Sequence, residues 1–472
     1  MATIQMRDLI EAKKGGQPHA AAEIAAIVQG YTSGEVPDYQ MAAWLMAVRW
    51  RGLDADETHA LTEAMILSGE SLDLAGAGLA GVTIDKHSTG GVGDKLSLII
   101  VPLLIAAGAT VVKLSGAGLG HTGGTIDKLR AIPHLRLELT PSEIYAVARR
   151  AGGCMAAQSA SLVPADGQIY ALRDLTGTVD SPALIAASVM AKKIACGASA
   201  IALDVKVGRG AFMRHLAEAT ALARQMVDLA TRFDRRAVAV LTAMDQPLGR
   251  AVGNAIEVNE AVAVLRGEGH TVLRDLSLDL ATHALRSATG GGQPISLTRA
   301  WLAQRLTDGH ALECFAALIQ AQGGATNWLV DVDRGHYAQG AQGPLPLACE
   351  RAVIRATVSG QLLGIDALAI GRAAVQLGAG RSVKGQTVDP GAGIWLEVQP
   401  GEHVAVGQPL ARLFTSDAAR LAPSEATVRS AMAWRQETDQ DTASYLPPGA
   451  VLGQVPAVLQ PTEVDARDHA DA

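Results

Sequence analysis

The sequence is poor in cysteine and in aromatic residues, and it has no excess of basic charge. Of its 472 residues, four are cysteines and 3% are aromatic, and the formal net charge is −7. The cysteines form no CxxC pair, so neither a zinc cluster nor a disulfide framework is indicated. The negative charge argues against a nucleic-acid-binding protein and against a protein that binds an acidic membrane surface.

Long apolar segments are also missing. The amino terminus, MATIQMRDLIEAKKGG, lacks the apolar stretch of a signal peptide. The longest apolar run, LSLIIVPLLIAAGATVV, contains Pro102 and polar residues and is too short for a membrane-spanning helix. The sequence therefore predicts a cytoplasmic protein without a membrane-spanning segment.

The apolar residues that are present, 49% of the chain, follow three successive patterns. Residues 1 to about 70 have the pattern of short helices, with Asp38 as one N-cap and with Asp54 and Glu57 as a capping box. From Val82, strands, glycine-rich loops and helices alternate, which is typical of a parallel sheet with helices on both faces. Beyond about residue 340, apolar residues alternate with Gly and Pro turns, which predicts a small β-rich domain.

One helix interrupts the strand and helix alternation. It follows Ser181 as N-cap and Pro182 as the first helical residue, and it contains Ser188 and Lys192 four residues apart. That spacing puts a hydroxyl and an ammonium on the same face of the helix. The helix could return to pack against the N-terminal helices.

Two glycine-rich loops, DKHSTGGVGDKLS and GAGLGHTGGTIDKL, combine hydroxyl groups with lysines and lead into helices. Backbone N–H groups at a helix N-terminus form an anion-binding cradle when hydroxyls and a cation accompany them. Seven of the ten lysines lie between residues 86 and 206, and lysine is a frequent partner of phosphate. Two such loops at the carboxyl end of a parallel sheet could surround one phosphate.

Simpler interpretations of these loops are possible. The glycines and serines could serve only tight turns, although two lysine-containing copies make that interpretation the weaker one. GGVGDKLS does not have the glycine spacing of an ATPase phosphate loop. GLGHTG, from Gly118 to Gly123, fits the dinucleotide fingerprint GxGxxG, but no clear second half of a dinucleotide fold follows, so a nicotinamide enzyme is a minor alternative.

The segments KHSTGGVGDKLSL and KLSGAGLGHTGGTIDKLRAIP resemble the thymidine and pyrimidine-nucleoside phosphorylase family. The resemblance continues through VPADGQIYALRDLTGTVDSPALIAASVMAKKIA, LDVKVGRGAFM and QPLGRAVGNAIEVNEAV, and it covers nearly the whole chain. It implies an α/β fold class: a small all-helical domain, a large α/β domain with a mainly parallel sheet, and a C-terminal β-rich α+β region. The corresponding residue ranges are 1–70 with 165–195, 80–160 with 198–335, and 345–440. The tail at 460–472 is acidic and lacks aromatic residues, so its composition predicts disorder.

The resemblance also implies a set of site residues. The phosphate ligands would be Lys86, Ser88, Ser97, Ser115 and Thr125, with Lys113 beside them. The base-binding residues would be His87, Arg173, Ser188 and Lys192, of which His87, Arg173 and Lys192 would be catalytic. Arg173 could instead form a salt bridge with Asp174, and a lone histidine is more often structural.

The implied reaction is reversible phosphorolysis of a nucleoside, in which phosphate attacks C1′ and the pyrimidine departs. His87 would act as general acid or hydrogen-bond donor to the base. Phosphate is a co-substrate and no other cofactor is expected. The resemblance further implies a homodimer that forms through the helical domain and a cleft that closes during catalysis.

Two positions depart from the family pattern. Ala117 stands where many relatives have arginine. Lys95 stands where the bacterial pyrimidine-nucleoside branch has a threonine of a potassium site, whose other positions would be Gly93, Leu248, Ala251 and Glu260. We expect the Lys95 ammonium to replace the ion and to pair with Glu260. Lys95, and PADGQIY where broad-specificity relatives have a basic dipeptide, favour the thymidine-type branch.

Other functions remain open on the sequence alone. A close alternative is a broad pyrimidine-nucleoside phosphorylase that also cleaves uridine. More distant ones are a nucleoside-monophosphate phosphorylase, which would need an extra N-terminal domain, and a phosphoribosyltransferase. A binding or signalling protein without catalytic activity is a further alternative, although every implied ligand is present.

Overall fold

The computed structural model describes residues 5–79, 81–116, 118, 120–121, 123–329, 343–381, 386–435 and 447–456. The tail predicted to be disordered, Ala117, and the end of the predicted C-terminal domain at 436–440 lie outside these residues.

In chain order, the helices are α1 (Met6–Lys14), α2 (Ala21–Ser33), α3 (Asp38–Arg51), α4 (Ala55–Leu67), α5 (Leu96–Ala106), α6 (Thr125–Leu129), α7 (Pro141–Ala151), α8 (Pro164–Thr176), α9 (Pro182–Ala195), α10 (Leu216–Arg232), α11 (Ala255–Leu265), α12 (Thr271–Thr289), α13 (Ile295–Thr307), α14 (His310–Ala321), α15 (Ala367–Leu377) and α16 (Leu421–Ser430).

In the same order, the strands are β1 (Thr83–Ser88), β2 (Thr110–Ser115), β3 (Gly153–Ala157), β4 (Ala200–Val207), β5 (Arg236–Ala243), β6 (Ala251–Gly253), β7 (Glu350–Arg355), β8 (Gly360–Ile365), β9 (Gly393–Leu396), β10 (His403–Val404), β11 (Pro409–Thr415), β12 (Met432–Arg435) and β13 (Val451–Pro456).

The first four helices form a small helical bundle, and α8 and α9 return to pack against it. Helix α4 begins with the predicted capping box: the Asp54 carboxylate accepts the backbone N–H groups of residues 56 and 57, and Glu57 accepts that of Asp54. The prediction for α3 was wrong. Pro37 occupies its N-cap position, and the carboxylate of Asp38 accepts a hydrogen bond from the Tyr31 hydroxyl at 3.0 Å.

The central sheet has the order β13-β5-β4-β1-β2-β3. Strands β1 to β5 pair in parallel, as the alternation of strands and helices predicts. Strand β13 adds an antiparallel edge beside β5, which the sequence did not indicate. Because β1 and β2 are central neighbours, the two glycine-rich loops leave the same edge of the sheet side by side.

Both faces of this sheet are covered by helices. Val111 packs into a core with α5, α11, α12 and α14, whereas the adjacent Val112 packs into the core of the helical bundle. On β4, Ala202 joins the first core, while Leu203 packs with α9 and α10. Successive side chains of a strand point to opposite faces of the sheet. Because successive residues are buried here, helices must pack against both faces.

The C-terminal region is a β-rich α+β unit. Strands β7, β11 and β9 pair antiparallel, and β8 pairs with β10 and β12 in a second sheet. Helix α15 packs next to β9 and β11, and α16 contacts strands of both sheets. The short strand β6 pairs with β9, so the segment that follows β5 is joined to the C-terminal region by backbone hydrogen bonds. In the part of the chain described, no helix has the length and apolar character needed to cross a membrane.

Candidate active site

A cavity of about 480 Å³ lies at the carboxyl ends of β1 and β2, between the α/β domain and helices α8 and α9. Such an edge of a parallel sheet is a common place for ligands. Nine of the ten site residues implied by the sequence line this cavity: His87, Ser88, Ser97, Lys113, Ser115, Thr125, Arg173, Ser188 and Lys192. The structure thus brings together side chains that lie far apart in the chain.

The wall formed by the two glycine-rich loops will be called the loop wall. It contains the ends of β1 and β2 and the first residues of α5 and α6. Gly93 has a positive φ of 72°, and a Cβ at this position would lie 2.7 Å from the carbonyl oxygen of Leu248. Only glycine fits such a conformation and such a close approach.

Lys86 lies behind the loop wall and does not line the cavity. Its side chain is buried, and its ammonium lies 3.3 Å from a carboxylate oxygen of Asp204 on the neighbouring strand. Lys206 approaches the same oxygen at 2.9 Å. A carboxylate partner stabilises the charge of a buried ammonium, which accounts for the direction of this side chain. A direct contact of Lys86 with phosphate stays a prediction.

Asp94 lines the cavity in the middle of the first loop, and the sequence analysis did not single it out. Its Oδ2 accepts the hydroxyl proton of Ser88 at 2.5 Å. Burial alone raises the pKa of this carboxyl, but the ammonium groups of Lys206 and Lys86 outweigh burial and hold the pKa well below its usual value. The loop wall therefore contains one anion among several cations.

Lys113, on β2, is a cation of the loop wall and lines the cavity. Its ammonium donates to the backbone oxygen of Lys86 at 2.6 Å. Burial, together with the nearby Lys193, lowers the pKa of Lys113 to about 7. At neutral pH this side chain therefore titrates, and a bound anion would favour its charged form.

His87 faces the cavity between Lys86 and Ser88 in the chain. Burial lowers the pKa of His87 well below its ordinary value, and the ammonium groups of Lys193 and Lys113 lower it further. The imidazole is therefore neutral at neutral pH. A neutral imidazole still has one N–H group to donate.

The opposite wall, formed by α8 and α9, will be called the helical wall. On α9, the Lys192 ammonium lies 2.6 Å from Asp166 Oδ2 and 3.2 Å from Ser188 Oγ. This contact agrees with the spacing argument that puts Ser188 and Lys192 on one face. The Tyr170 ring lies beside them, with its centroid 5.9 Å from Lys192 Nζ and 5.8 Å from the Arg173 guanidinium carbon.

Arg173 also shapes the helical wall. Its guanidinium donates to the backbone oxygens of Thr178, Val179 and Leu184, at 3.2, 2.7 and 3.1 Å. These bonds tie α8 to the segment that leads into α9. They use one proton on each nitrogen, and no further acceptor of Nη1 or Nη2 is found among the residues that the structure describes, so each of these two nitrogens has one proton left for a ligand. A salt bridge to Asp174 is not among the described contacts.

Lys193 is a cavity residue that the sequence analysis missed, since the spacing argument selected only its neighbour Lys192. Its buried ammonium lies 2.9 Å from Asp85 Oδ2 and 2.9 Å from the backbone oxygen of Leu114. A signal was present, because Asp85 lies within the predicted strand VTIDKHS, and a carboxylate that is buried in a sheet requires a cation. The other lining residues that were missed include Thr89, Asp94, Gln158, Tyr170 and Phe212.

Lys95 lies outside the cavity, beneath the first loop. Its buried ammonium lies 2.8 Å from the backbone oxygens of both Leu248 and Ala251, and 2.6 Å from Glu260 Oε2. These are the oxygens that the resemblance assigns to potassium. Because the ammonium already bonds to all three, the residues present do not fit an added cation. Among the described residues, no group of three or more His, Cys, Asp or Glu could hold a metal.

Comparison with known proteins gives consistent results along the chain. Residues 7–69 match the helical bundle domain of the glycosyl transferase family, and residues 80–312 match its a/b domain. Residues 362–434 match the C-terminal domain of pyrimidine nucleoside phosphorylases. In fold alone, the chain is similar to anthranilate phosphoribosyltransferase from Thermus thermophilus, with a TM-score of 0.53 and 19% identity over 67% of this chain and 99% of that one.

Individual relatives are much closer in sequence. The chain is 43% identical to pyrimidine-nucleoside phosphorylase from Geobacillus stearothermophilus, over 88% of this chain and 92% of the relative. It is also 43% identical to thymidine phosphorylase from Mycobacterium tuberculosis, over 92% of this chain and 95% of the relative. The chain therefore belongs to the pyrimidine-nucleoside and thymidine phosphorylase family of pentosyltransferases.

Proposed function

We propose that the protein catalyses the reversible phosphorolysis of pyrimidine 2′-deoxynucleosides, converting thymidine and phosphate to thymine and 2-deoxy-α-D-ribose 1-phosphate. The observation that carries this proposal is that one cavity joins two unlike walls. The loop wall offers a lysine, hydroxyls and helix N-termini to an anion, while the helical wall offers cations and a hydroxyl beside an aromatic ring.

In this proposal the loop wall binds phosphate. Lys113, Ser97, Ser115 and Thr125 are its donors, and Lys86 adds positive charge from behind the wall. Phosphate itself attacks C1′, so no covalent enzyme intermediate forms, and a single displacement inverts the configuration at C1′. The wall fixes the nucleophile near the sugar and so removes the entropic cost of bringing the reactants together.

The helical wall binds the pyrimidine. As the glycosidic bond breaks, the base takes the electron pair, and negative charge spreads from the ring nitrogen onto the carbonyl oxygens of the base. Lys192, Ser188 and the two free protons of Arg173 are donors that stabilise this charge, as an oxyanion hole does. Asp166 holds the ammonium of Lys192 in place at 2.6 Å.

His87 completes the arrangement as a hydrogen-bond donor to the departing base. The depressed pKa means that His87 begins the reaction as a neutral imidazole. A bound phosphate dianion offsets the cations that depress this pKa, and so favours uptake of a proton by His87. The proton can then be passed to the pyrimidine as it leaves.

The preference for thymidine over uridine is the finer part of the proposal. The chain is 43% identical both to a relative named pyrimidine-nucleoside phosphorylase and to one named thymidine phosphorylase, so sequence identity does not decide between the two specificities. Two features support the thymidine type: Lys95 in place of a threonine, and the segment PADGQIY at the start of α8. We also propose that Lys95 makes the enzyme independent of potassium.

The experiment that tests this proposal measures release of free base from thymidine, 2′-deoxyuridine and uridine, each with and without phosphate, in buffer free of potassium. Phosphate-dependent release from the two deoxynucleosides alone is the expected result. Turnover of uridine at a similar rate would instead support the broad-specificity alternative. Activity that appears only after potassium is added would contradict the role proposed for Lys95.

A further inference from the structure

Two carboxylates line the cavity, and they differ in their partners. Asp180, on the helical side, is held by the guanidinium of Arg49 through bonds of 2.6 and 2.5 Å. Asp94 lies in the loop wall, within the cradle for the proposed phosphate. A carboxylate in an anion site repels the ligand unless the ligand can donate a hydrogen bond to it.

The hydroxyl of Ser88, like the carboxylate of Asp94, acts as a hydrogen-bond acceptor towards a ligand. A serine hydroxyl has a single proton, and an ionised carboxylate can only accept hydrogen bonds. Since Ser88 Oγ lies 2.5 Å from Asp94 Oδ2, its proton is directed to Asp94. The backbone N–H of Gly90 also donates to Ser88 Oγ, at 3.4 Å. Ser88 therefore presents its remaining lone pair, and not a proton, to a ligand in the cavity.

The position of Asp94 is held from two further directions. The backbone N–H of Leu96 donates to Asp94 Oδ1 at 3.3 Å. The ammonium of Lys128 donates to the backbone oxygen of Asp94 at 2.6 Å, and Lys128 is itself paired with Glu257 at 2.7 Å. With its backbone and both carboxylate oxygens engaged, Asp94 cannot easily turn away from an incoming anion.

We propose that Asp94, together with Ser88, is a specificity-determining pair that selects hydrogen phosphate over sulfate by accepting the proton on the phosphate. The two anions have the same charge and nearly the same shape, but only hydrogen phosphate has a P–OH group to donate. Sulfate would set oxygen lone pairs against those of Ser88 and Asp94. This inference rests on the proposed function for the identity of the loop wall as the phosphate site.

The same pair fixes the orientation of the nucleophile. With the P–OH oxygen bound at Ser88 and Asp94, the three unprotonated oxygens of hydrogen phosphate are left for Lys113, the remaining hydroxyls and the sugar. The oxygen that attacks C1′ is then one that carries no proton, which is the more nucleophilic form. No proton is lost from phosphate during binding.

Direct titration of the wild-type protein with phosphate and with sulfate, at pH 8 and equal ionic strength, is the first test. We expect phosphate to bind at least about tenfold more tightly, which is the scale of one hydrogen bond to a charged group. Equal affinities for the two dianions would overturn the proposal, whatever any variant does.

The variant Asp94→Asn tests the residue itself. Its amide keeps the shape of the side chain but offers an N–H group to the anion, so the phosphate-to-sulfate affinity ratio should fall by about tenfold or more. Asp180→Asn is the matched control, because it removes the same charge from the same cavity, and it should keep the wild-type ratio. An unchanged ratio in Asp94→Asn, or an equal fall in Asp180→Asn, would contradict the role of Asp94.

Base release measured in parallel separates the two proposals. If phosphate binds selectively but no pyrimidine nucleoside is cleaved, the proposed function fails and the anion selectivity stands. If nucleosides are cleaved and sulfate inhibits with an affinity equal to that of phosphate, the proposed function stands and the role of Asp94 is refuted.

Discussion

At the scale of single residues, the lysines around the cavity differ because their partners differ. Lys192 and Lys193 are paired with Asp166 and Asp85. Lys113 bonds to a backbone oxygen, and no ion pair of Lys113 is found among the residues that the structure describes. Its pKa of about 7 follows from that difference, since burial without a carboxylate partner disfavours the charged form.

We therefore predict that phosphate binding at pH 8 is accompanied by proton uptake. At that pH most Lys113 side chains are neutral, because the pKa is about 7, and a bound dianion raises the pKa and draws a proton from solvent. Titration calorimetry in buffers of different ionisation enthalpy measures the uptake. The variant Lys113→Met should take up fewer protons, and the same uptake in both proteins would assign the proton to another group such as His87.

A second prediction concerns the helical wall. Replacing Lys192 by Met removes a donor that faces the base, and Asp166 is then left without its cation. We expect kcat to fall by about 100-fold or more, in line with the loss of one preorganised donor to developing charge. The KM for phosphate should change little. Steady-state kinetics with each substrate varied would show this, and a selective rise in the KM for phosphate would contradict the assignment of the two walls.

At the scale of structural elements, Lys95 joins three parts of the α/β domain. It precedes α5, and it bonds to the segment at Leu248, to β6 at Ala251 and to α11 at Glu260. The first glycine-rich loop is therefore held to the segment that pairs with the C-terminal region through β6 and β9.

Changing Lys95 to Met should destabilise the fold strongly. The buried carboxylate of Glu260 would lose its cation, a loss that typically costs about 3–5 kcal/mol in unfolding free energy. Urea denaturation measures the change. Lys95→Thr supplies an oxygen in place of the ammonium, so potassium chloride should restore its stability more than tetramethylammonium chloride does. A wild-type protein whose stability also depends on potassium would contradict this account of Lys95.

The sequence could predict the elements that rest on local signals. The capping box at Asp54 and Glu57, the five parallel strands and the helix of Ser188 and Lys192 all follow from short patterns. Such short patterns do not identify the partner of Lys193, because Asp85 is 108 residues away in the chain. They also do not show that Asp94 is ionised, because that state depends on ammonium groups that folding brings close from other elements, such as Lys206. Strand β13 is a similar case, since its pairing with β5 joins segments some 200 residues apart in the chain.

At the scale of the whole molecule, the helical bundle has an exposed apolar stripe. One face of α3 is buried in the bundle and contains Met41, Trp44 and Val48. On another face three apolar side chains are exposed: Tyr39 by 75%, Trp50 by 77% and Met46 by 37%. The exposed three follow a spacing of seven and four residues, so they lie on one face of the helix. Exposed apolar faces of this kind mark interaction surfaces. We propose that this stripe belongs to the interface of the expected homodimer.

The variant Trp50→Asp tests the interface. A charge in the centre of an apolar contact should weaken dimerisation, whereas the bundle core should remain intact because Trp50 points outward. Light scattering after size-exclusion chromatography should show a dimer for the wild-type protein and a monomer for the variant. Glu35→Gln, an exposed change outside the apolar stripe, is the control and should remain a dimer. A monomeric wild-type protein would refute the proposed interface.

In the proposed reaction, phosphate bound by the loop wall is the group that displaces the pyrimidine. Phosphorus NMR during a reaction with thymidine tests it most directly, with released thymine quantified in the same samples. We predict that inorganic phosphate is converted to a sugar 1-phosphate in equal amount to the thymine released, and that no thymine appears without phosphate. Thymine release without loss of inorganic phosphate would show hydrolysis and would contradict the account.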